Sequence, residues 1–363
     1  MPLSARTYTI IDDIKVFFTD TGAPPDSDDY TTLITIHGFG FSGACFESIQ
    51  SQAHAYNLRV VALNRRGYHG STPFSDQEID AVRGPAESDA RKFFERLGLH
   101  LSLFLEKFVR EEKVPPVLGR GKGGIAVMGW SLGGLFANAL FANPDAMSEE
   151  RYELLEGCIK DLVLYDPGNS LGLPIPSTLN LRNLFIPQIS GDGSDPGKGF
   201  DQFIAWVTSR LEYTTQDGIP TIESIEKTGA LPKTEQNLAD SLSRSEIERL
   251  TDAKAAIRSD MPVPVWQGIL NENTQKVLFD EAVAAKFFPK LSITYLYAPH
   301  SVWLTVLAYG EAKKQYQQHI KQKTAIRPIQ FIKVEGADHF VHYNDPQNFL
   351  KTLVEALAQS TLR

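Results

Sequence analysis

The sequence contains little cysteine and no long apolar run. Only two cysteines, Cys45 and Cys158, occur among 363 residues, which excludes a disulfide framework and fits a reducing compartment. No apolar stretch approaches the roughly 18 residues that span a bilayer, so we expect no membrane span. The first residues, 1–6, lack the basic-then-apolar order of a signal peptide. These absences lead us to expect a cytoplasmic protein.

Basic residues are in the minority. The chain has 36 Lys and Arg against 44 Asp and Glu, for a formal net charge of −8 at pH 7. A surface of this sign repels polyanions, so we expect no nucleic-acid partner. HExxH and CxxC motifs are missing, and the Gly-rich segment 119–124 precedes a predicted strand, whereas a phosphate-binding loop follows one. We therefore predict no cofactor, no metal and a small-molecule substrate. The oligomeric state is left open.

The remaining composition is that of a globular protein, with 42% hydrophobic and 22% charged residues. A hairpin is predicted over 8–19. Short, nearly continuous apolar segments then alternate with helical patterns, which is typical of an α/β fold with a mostly parallel sheet and helices on both faces. The predicted strands cover 33–36, 59–63, 125–128, 162–165, 293–297 and 329–334.

A long segment separates two of these strands. Roughly 125 residues lie between Asp166 and Ile293, far more than an ordinary crossover needs. Apolar spacing predicts helices over 200–213, 234–259 and 273–288. We interpret residues 169–289 as an inserted helical cap, or lid. Residues 1–168 and 290–363 then form the core domain.

One motif carries more chemical information than any other. Gly129-Trp130-Ser131-Leu132-Gly133 follows an apolar strand and precedes a helical pattern. A serine with glycine two positions before and two positions after it, at a strand-to-helix turn, is typical of a nucleophile elbow. The turn is so tight that larger side chains at the glycine positions would clash. The serine hydroxyl is then presented at the positive end of a helix.

Two further motifs accompany the elbow. His37-Gly38-Phe39-Gly40 follows the strand 33–36, and His339 lies between the last strand and the last helix. With the elbow, these motifs resemble the α/β-hydrolase fold superfamily, specifically serine esterases and lactonases with a large cap. The resemblance implies an oxyanion hole formed by the backbone N–H groups of Phe39 and Leu132.

The resemblance also implies the other members of a catalytic triad with Ser131. His339 has the family position of the catalytic base, with His342 as its competitor, whereas His37 is expected to be structural. The family most often places the acid after the strand 293–297, but no carboxylate occurs over 298–303. A minority places it after the preceding strand, where Asp166 stands. Asp338 is the weaker alternative.

These residues together indicate a reaction. Epoxide hydrolases and haloalkane dehalogenases of this fold use Asp at the elbow, and a Ser there argues against both. We predict a serine hydrolase that cleaves an ester or lactone through an acyl-enzyme. The alternatives are an acyltransferase or a lyase on the same triad, or a non-catalytic ligand-binding protein. An apolar pocket for a small to medium substrate is predicted around Trp130, Phe41, Trp206 and His300.

Overall fold

The computed structural model of the protein describes residues 3–119, 121–187 and 196–359. Its strands are β1 (Ser4–Ile11), β2 (Ile14–Asp20), β3 (Thr31–Ile36), β4 (Leu58–Asn64), β5 (Ile125–Trp130), β6 (Ile159–Tyr165), β7 (Thr215–Gln216), β8 (Ile219–Pro220), β9 (Ser292–Tyr297) and β10 (Ile329–Lys333). Eight of them form one sheet in the order β1-β2-β4-β3-β5-β6-β9-β10, and β7 and β8 form a separate two-stranded ribbon.

The sheet is mostly parallel, as predicted. β1 and β2 form the antiparallel hairpin, and β2 pairs antiparallel with β4. From β4 to β10 every neighbouring pair of the sheet is parallel. Each residue of β3, β4, β5, β6 and β9 is buried, which agrees with their apolar composition. The carboxyl ends of these parallel strands therefore meet at one edge of the sheet.

In the described residues before β6 the chain forms five α-helices. The longest is α3, in which Phe93, Leu97, Leu101 and Phe104 form a buried stripe. α4 begins two residues after Ser131. Their bounds are α1 (Glu47–Gln50), α2 (Asp76–Arg83), α3 (Glu87–Glu112), α4 (Gly133–Ala142) and α5 (Glu149–Glu156).

Between β6 and β9 the described chain forms the β7–β8 ribbon and several helices, which are shorter than predicted. They are α6 (Pro196–Val207), α7 (Ile222–Gly229), α8 (Arg244–Leu250), α9 (Ala253–Ala255), α10 (Gln267–Phe279) and α11 (Glu281–Lys286). We call residues 169–289 the insertion. Its separation from the core as a domain of its own stays a prediction.

The prediction of one helix over 234–259 is wrong. Ser243 caps α8 through its side chain, Thr251 is extended, and the Asp252 side chain caps α9. A π-helical turn over Ala256–Asp260 follows. Apolar spacing does not detect these interruptions, because Ser, Thr and Asp end one helix and begin the next through hydrogen bonds to the backbone. Asp280 divides the predicted helix 273–288 in the same way.

In the described chain after β9 the helices are α12 (Trp303–Lys321), α13 (Val341–Asn344) and α14 (Pro346–Gln359). α14 begins at Pro346, where proline is well accommodated because the first turn of a helix needs no donor from it. Within the described residues, none of the helices combines the length and apolar character that crossing a bilayer requires.

Candidate active site

Ser131 lies in a strained turn between β5 and α4. Its φ angle is 53°, a left-handed conformation that non-glycine residues rarely adopt. The neighbouring glycines are required on steric grounds. A Cβ atom on Gly129 would lie 2.4 Å from the Gly133 carbonyl oxygen, and one on Gly133 would lie 2.2 Å from the Ile36 oxygen. The strain is tolerated because the sheet and α4 hold both ends of the turn.

The loop after β3 packs directly against Ser131. A Cβ atom on Gly38 would lie 2.9 Å from Ser131 Cβ and 3.3 Å from Ser131 Oγ. The next residue of this loop, Phe39, and the residue after Ser131, Leu132, have backbone N–H groups that find no hydrogen-bond acceptor among the described residues. Unpaired N–H groups beside a serine hydroxyl are suited to bind an anionic oxygen.

His339 and Asp166 form a buried pair. His339 Nδ1 lies 2.7 Å from Asp166 Oδ2, and neither side chain has more than 1% of its surface exposed. Asp166 follows β6 directly and has a φ of 48°. Its second oxygen accepts the Ala298 N–H at 3.3 Å. Because Nδ1 faces a carboxylate, Nε2 is the ring nitrogen left to exchange a proton with another group.

Two aromatic residues hold the backbone of His339. The indole Nε1 of Trp130 donates to the His339 carbonyl at 3.1 Å, and the Tyr165 hydroxyl donates to the same oxygen at 3.0 Å. Trp130 ends β5 and Tyr165 ends β6. The two central strands thus fix the loop that carries His339 relative to Ser131.

A third polar side chain beside His339 was not predicted. Ser301 Oγ lies 3.1 Å from His339 Nδ1, and the residue is fully buried. It follows β9 (Ser292–Tyr297), after which the family most often carries the acid. The sequence therefore does carry a polar residue at this position, but its side chain is a hydroxyl and not a carboxylate.

The competing candidates lie elsewhere. His342 is buried, with Nδ1 at 3.1 Å from the Tyr165 hydroxyl, and burial, followed by the nearby His339, lowers its pKa well below the usual value. Asp338 accepts the Phe340 N–H at 2.8 Å and faces the Asn344 amide. Among the described residues, His342 therefore pairs with no carboxylate, and Asp338 does not make the contact with His339 Nδ1 that Asp166 makes.

His37 is arranged as a neutral, structural residue. Its Nε2 accepts the Arg65 N–H at 3.1 Å, and its Nδ1 lies 3.0 Å from the Gly38 carbonyl. Burial, with a contribution from the Arg65 charge, lowers its pKa well below the usual value. An imidazole with one nitrogen accepting and the other donating is fixed as a single tautomer.

Ser131 and His339 open into one cavity of about 450 Å³. Phe39 and Leu132 line it together with residues of the insertion. Among the described residues, no Asp, Glu, Lys or Arg lines the cavity. The wall contributed by the insertion includes Ile186, Phe203, Trp206, Val207, Met261 and Pro264.

Of the four residues predicted to bind substrate, the structure places only Trp206 in the cavity wall. Trp130 is fully buried behind the wall, and Phe41 packs on it with ring centroids 5.5 Å apart. His300 Nδ1 lies 3.1 Å from Glu212 and faces away into the insertion. Trp130, Phe41 and His300 are thus not among the described residues that line this cavity, and their role in substrate binding stays a prediction.

In the part of the chain that the structure describes, no group of three or more His, Cys, Asp or Glu side chains is placed to hold a metal ion.

Known proteins share this architecture. Epoxide hydrolase A from Mycobacterium thermoresistibile is 15% identical, with a TM-score of 0.53 and 100% of both chains covered. An esterase from Exiguobacterium antarcticum is 11% identical, with a TM-score of 0.51 and coverage of 98% of this chain and 99% of that one. A haloalkane dehalogenase from Agrobacterium tumefaciens is 11% identical, with a TM-score of 0.53 and coverage of 98% and 97%. At these identities the likeness shows the fold alone.

A comparison with curated proteins finds no match. The family model described as "Alpha/beta hydrolase family" matches residues 33–352, a span that contains the elbow, the loop after β3 and His339. The chain therefore belongs to the alpha/beta hydrolase family.

Proposed function

We propose that the protein is a serine hydrolase that cleaves the ester or lactone bond of a small to medium, largely apolar substrate. The observation that carries this proposal is the buried contact of 2.7 Å between His339 Nδ1 and Asp166 Oδ2, with His339 and Ser131 lining the same cavity. A serine, an imidazole and a carboxylate in this relationship support nucleophilic acyl transfer.

The proposed mechanism has two halves. Ser131 Oγ attacks the substrate carbonyl carbon while His339 Nε2 takes its proton, and Asp166 stabilises the imidazolium. The oxyanion is held by the Phe39 and Leu132 N–H groups. His339 then returns the proton to the leaving alkoxide, which departs as an alcohol. Water, deprotonated by His339, attacks the acyl-enzyme, and the acid is released as Ser131 regains its proton.

The side chain at the elbow separates this proposal from the reactions of some structural neighbours. An epoxide hydrolase and a haloalkane dehalogenase share the fold, and those classes use an Asp nucleophile that forms an alkyl ester. Ser131 would form an ether in the same step, which a water molecule does not hydrolyse readily. Attack on a carbonyl avoids that product, because an acyl ester is hydrolysable.

The cavity lining supports an uncharged, apolar substrate. A charged substrate would need a paired charge once it is removed from water. Phe203, Trp206 and Met261 instead offer aromatic and thioether surface. We expect neutral esters with apolar acyl groups to react faster than esters with a carboxylate in the acyl chain.

A fluorophosphonate probe tests the proposal. We expect one adduct, on the peptide that contains Ser131, and no adduct in Ser131→Ala. His339→Ala should slow labelling. Ser102→Ala removes a buried hydroxyl of α3, outside the elbow, and should not change the rate of labelling. Absence of an adduct on folded wild-type protein would contradict an activated serine.

Ester and lactone screens then assign the reaction. Release of acid in water alone supports a hydrolase. Product that appears only with an added alcohol or amine indicates an acyltransferase. Consumption of substrate without an acyl-enzyme indicates a lyase, and saturable binding without turnover indicates a ligand-binding protein.

A further inference from the structure

A carboxylate of the insertion is buried against the loop that carries the proposed oxyanion donor. Asp260 closes the π-helical turn Ala256–Asp260 and has no exposed surface. Its two oxygens accept hydrogen bonds from Arg65, at 2.8 Å from Nη1 and 2.8 Å from Nη2. Oδ2 also accepts the Gly40 N–H at 3.1 Å and the Tyr68 hydroxyl. Because Gly40 lies in the loop after β3, the insertion makes a direct polar contact with that loop.

The Arg65 guanidinium extends this contact to the peptide carbonyls of the same loop. Nη2 donates to the Gly38 carbonyl at 2.9 Å, and Nε donates to the His37 carbonyl at 3.1 Å. The Gly38 carbonyl and the Phe39 N–H belong to one planar peptide group. Holding the oxygen therefore sets the direction in which the Phe39 N–H points.

Two effects make this arrangement more than a structural ion pair. A carbonyl that accepts from a cation is polarised, and the polarisation strengthens the N–H of the same peptide as a donor. An oxyanion donor is also most effective when it is fixed before the reaction begins. Burial opposes the charge of Arg65, but Asp260, together with Tyr68, holds the Arg65 pKa above its ordinary value.

We propose that Asp260 is a positioning residue of the active site. Through Arg65 it holds the peptide group that presents the Phe39 N–H to the substrate oxygen. This inference rests on the proposed function, because such a donor serves a reaction that develops an oxyanion. It follows that the oxyanion hole is complete only while the insertion is docked. The two buried charges favour the docked state, since each would otherwise lose its partner.

The test compares this ion pair with a second buried pair. Asp260→Asn keeps the size of the side chain but removes its charge. Arg65→Lys keeps the charge but removes the several N–H donors of the guanidinium group. The control is Arg59→Lys. Arg59 is buried and donates to Asp20 at 2.9 Å, near the start of β4, whereas Arg65 follows the end of that strand. The two arginines are thus separated by about 20 Å of strand.

Hydrogen–deuterium exchange of the peptide that covers 37–41 measures the protection of the loop amides and does not require enzyme activity. We expect exchange to become at least about 10-fold faster in Asp260→Asn and in Arg65→Lys, and to stay unchanged in Arg59→Lys, with circular dichroism and thermal melts confirming that all three fold. Unchanged exchange in the first two folded variants would overturn the proposal.

Steady-state kinetics with a p-nitrophenyl ester measure the effect of the Asp260 substitution on catalysis. We expect kcat to fall about 10–100-fold in Asp260→Asn, with KM changed by less than about 3-fold. The inhibition constant of a trifluoromethyl ketone, whose serine adduct carries an oxyanion, should rise by the same factor. The affinity for the matching secondary alcohol, which forms no oxyanion, should not change.

The outcomes separate this inference from the proposed function. Faster loop exchange with unchanged kcat in an active enzyme would overturn the positioning role of Asp260. Equal losses of kcat in Arg59→Lys and Asp260→Asn would overturn it too, because they would show an effect of stability alone. A wild-type protein without turnover or probe labelling would contradict the proposed function, while the exchange result would still decide whether Asp260 holds the loop.

Discussion

Asp166 and His339 meet through a contact of 2.7 Å although they lie 173 positions apart in the chain. Each follows a strand of the parallel sheet, β6 and β10 respectively, and the sheet brings the two loops to the edge where Ser131 stands. Burial of both side chains strengthens their interaction, because little water competes with it. The pair is the relationship on which the proposed mechanism depends.

Replacing Asp166 by Asn should reduce kcat about 10³–10⁴-fold, because an amide favours the wrong tautomer of His339 and does not stabilise the imidazolium. Steady-state kinetics with a neutral ester measure the effect. The matched control is Asp338→Asn, adjacent to the histidine but bonded to the Phe340 N–H, which should retain kcat within about 5-fold. A larger loss in Asp338→Asn than in Asp166→Asn would reverse the assignment of the acid.

Ser301 should be able to take over part of the role of Asp166. Its Oγ already lies 3.1 Å from His339 Nδ1, so a carboxylate placed there would face the same nitrogen. We expect the double variant Asp166→Asn, Ser301→Asp to have a kcat about 10–100-fold above that of Asp166→Asn alone. Ser301→Ala in the wild-type background should lower kcat only about 3–10-fold, the effect of one hydrogen bond. No recovery in a folded double variant would contradict this use of position 301.

The glycine after the nucleophile should tolerate no side chain. Gly133→Ala would place a methyl group 2.2 Å from the Ile36 carbonyl oxygen, so we expect a loss of about 3 kcal/mol or more in the free energy of unfolding. Gly268→Ala in α10 is the control, since a Cβ there meets no atom within 4 Å. It should stabilise the protein by about 0.5 kcal/mol. Denaturant titration compares the two, and equal stabilities would refute the steric argument.

His100 should make the protein sensitive to mild acid. Burial, with a contribution from Arg66, lowers its pKa from 6.5 to about 4. Between these two values the unfolded chain binds a proton that the folded chain does not. Stability is therefore unaffected by His100 above pH 6.5 and falls as the pH drops towards 4, by about 2–3 kcal/mol.

Urea unfolding at pH 7 and at pH 4.5 measures this effect. In His100→Gln the loss of stability between the two pH values should be smaller than in the wild type. His69→Gln, which changes an exposed histidine, should leave it unchanged. An identical pH dependence in His100→Gln and the wild type would contradict the assignment to His100.

The parallel sheet was predictable because its strands are apolar throughout, as residues 125–128 and 162–165 illustrate. Nearly continuous apolar segments of that length are typical of strands buried on both faces. The insertion was less predictable. Apolar spacing suggested one helix over 234–259, whereas Ser243 and Asp252 start new helices by capping the backbone. The free energy of a cap is local and does not appear in the periodicity.

The candidate site likewise contains residues that could be predicted from the sequence and residues that could not. The motif around Ser131 could be recognised because its glycines follow from a local steric requirement. Asp166 could be placed only by its position after a strand and by resemblance. The contact between Arg65 and Asp260 was not predictable, since it joins positions 195 apart and depends on how the insertion docks. Long-range pairing of this kind leaves no local pattern in the sequence.

Rapid-quench mass spectrometry tests the central claim most directly. The protein is mixed with a p-nitrophenyl ester, quenched in acid within the first turnover, and digested. We predict that the peptide containing Ser131 gains the mass of the acyl group, at a rate matching the burst of p-nitrophenol, and that Ser131→Ala shows neither the mass nor the burst. Ester turnover without an acylated peptide, at the same rate in wild type and Ser131→Ala, would contradict the acyl-enzyme mechanism.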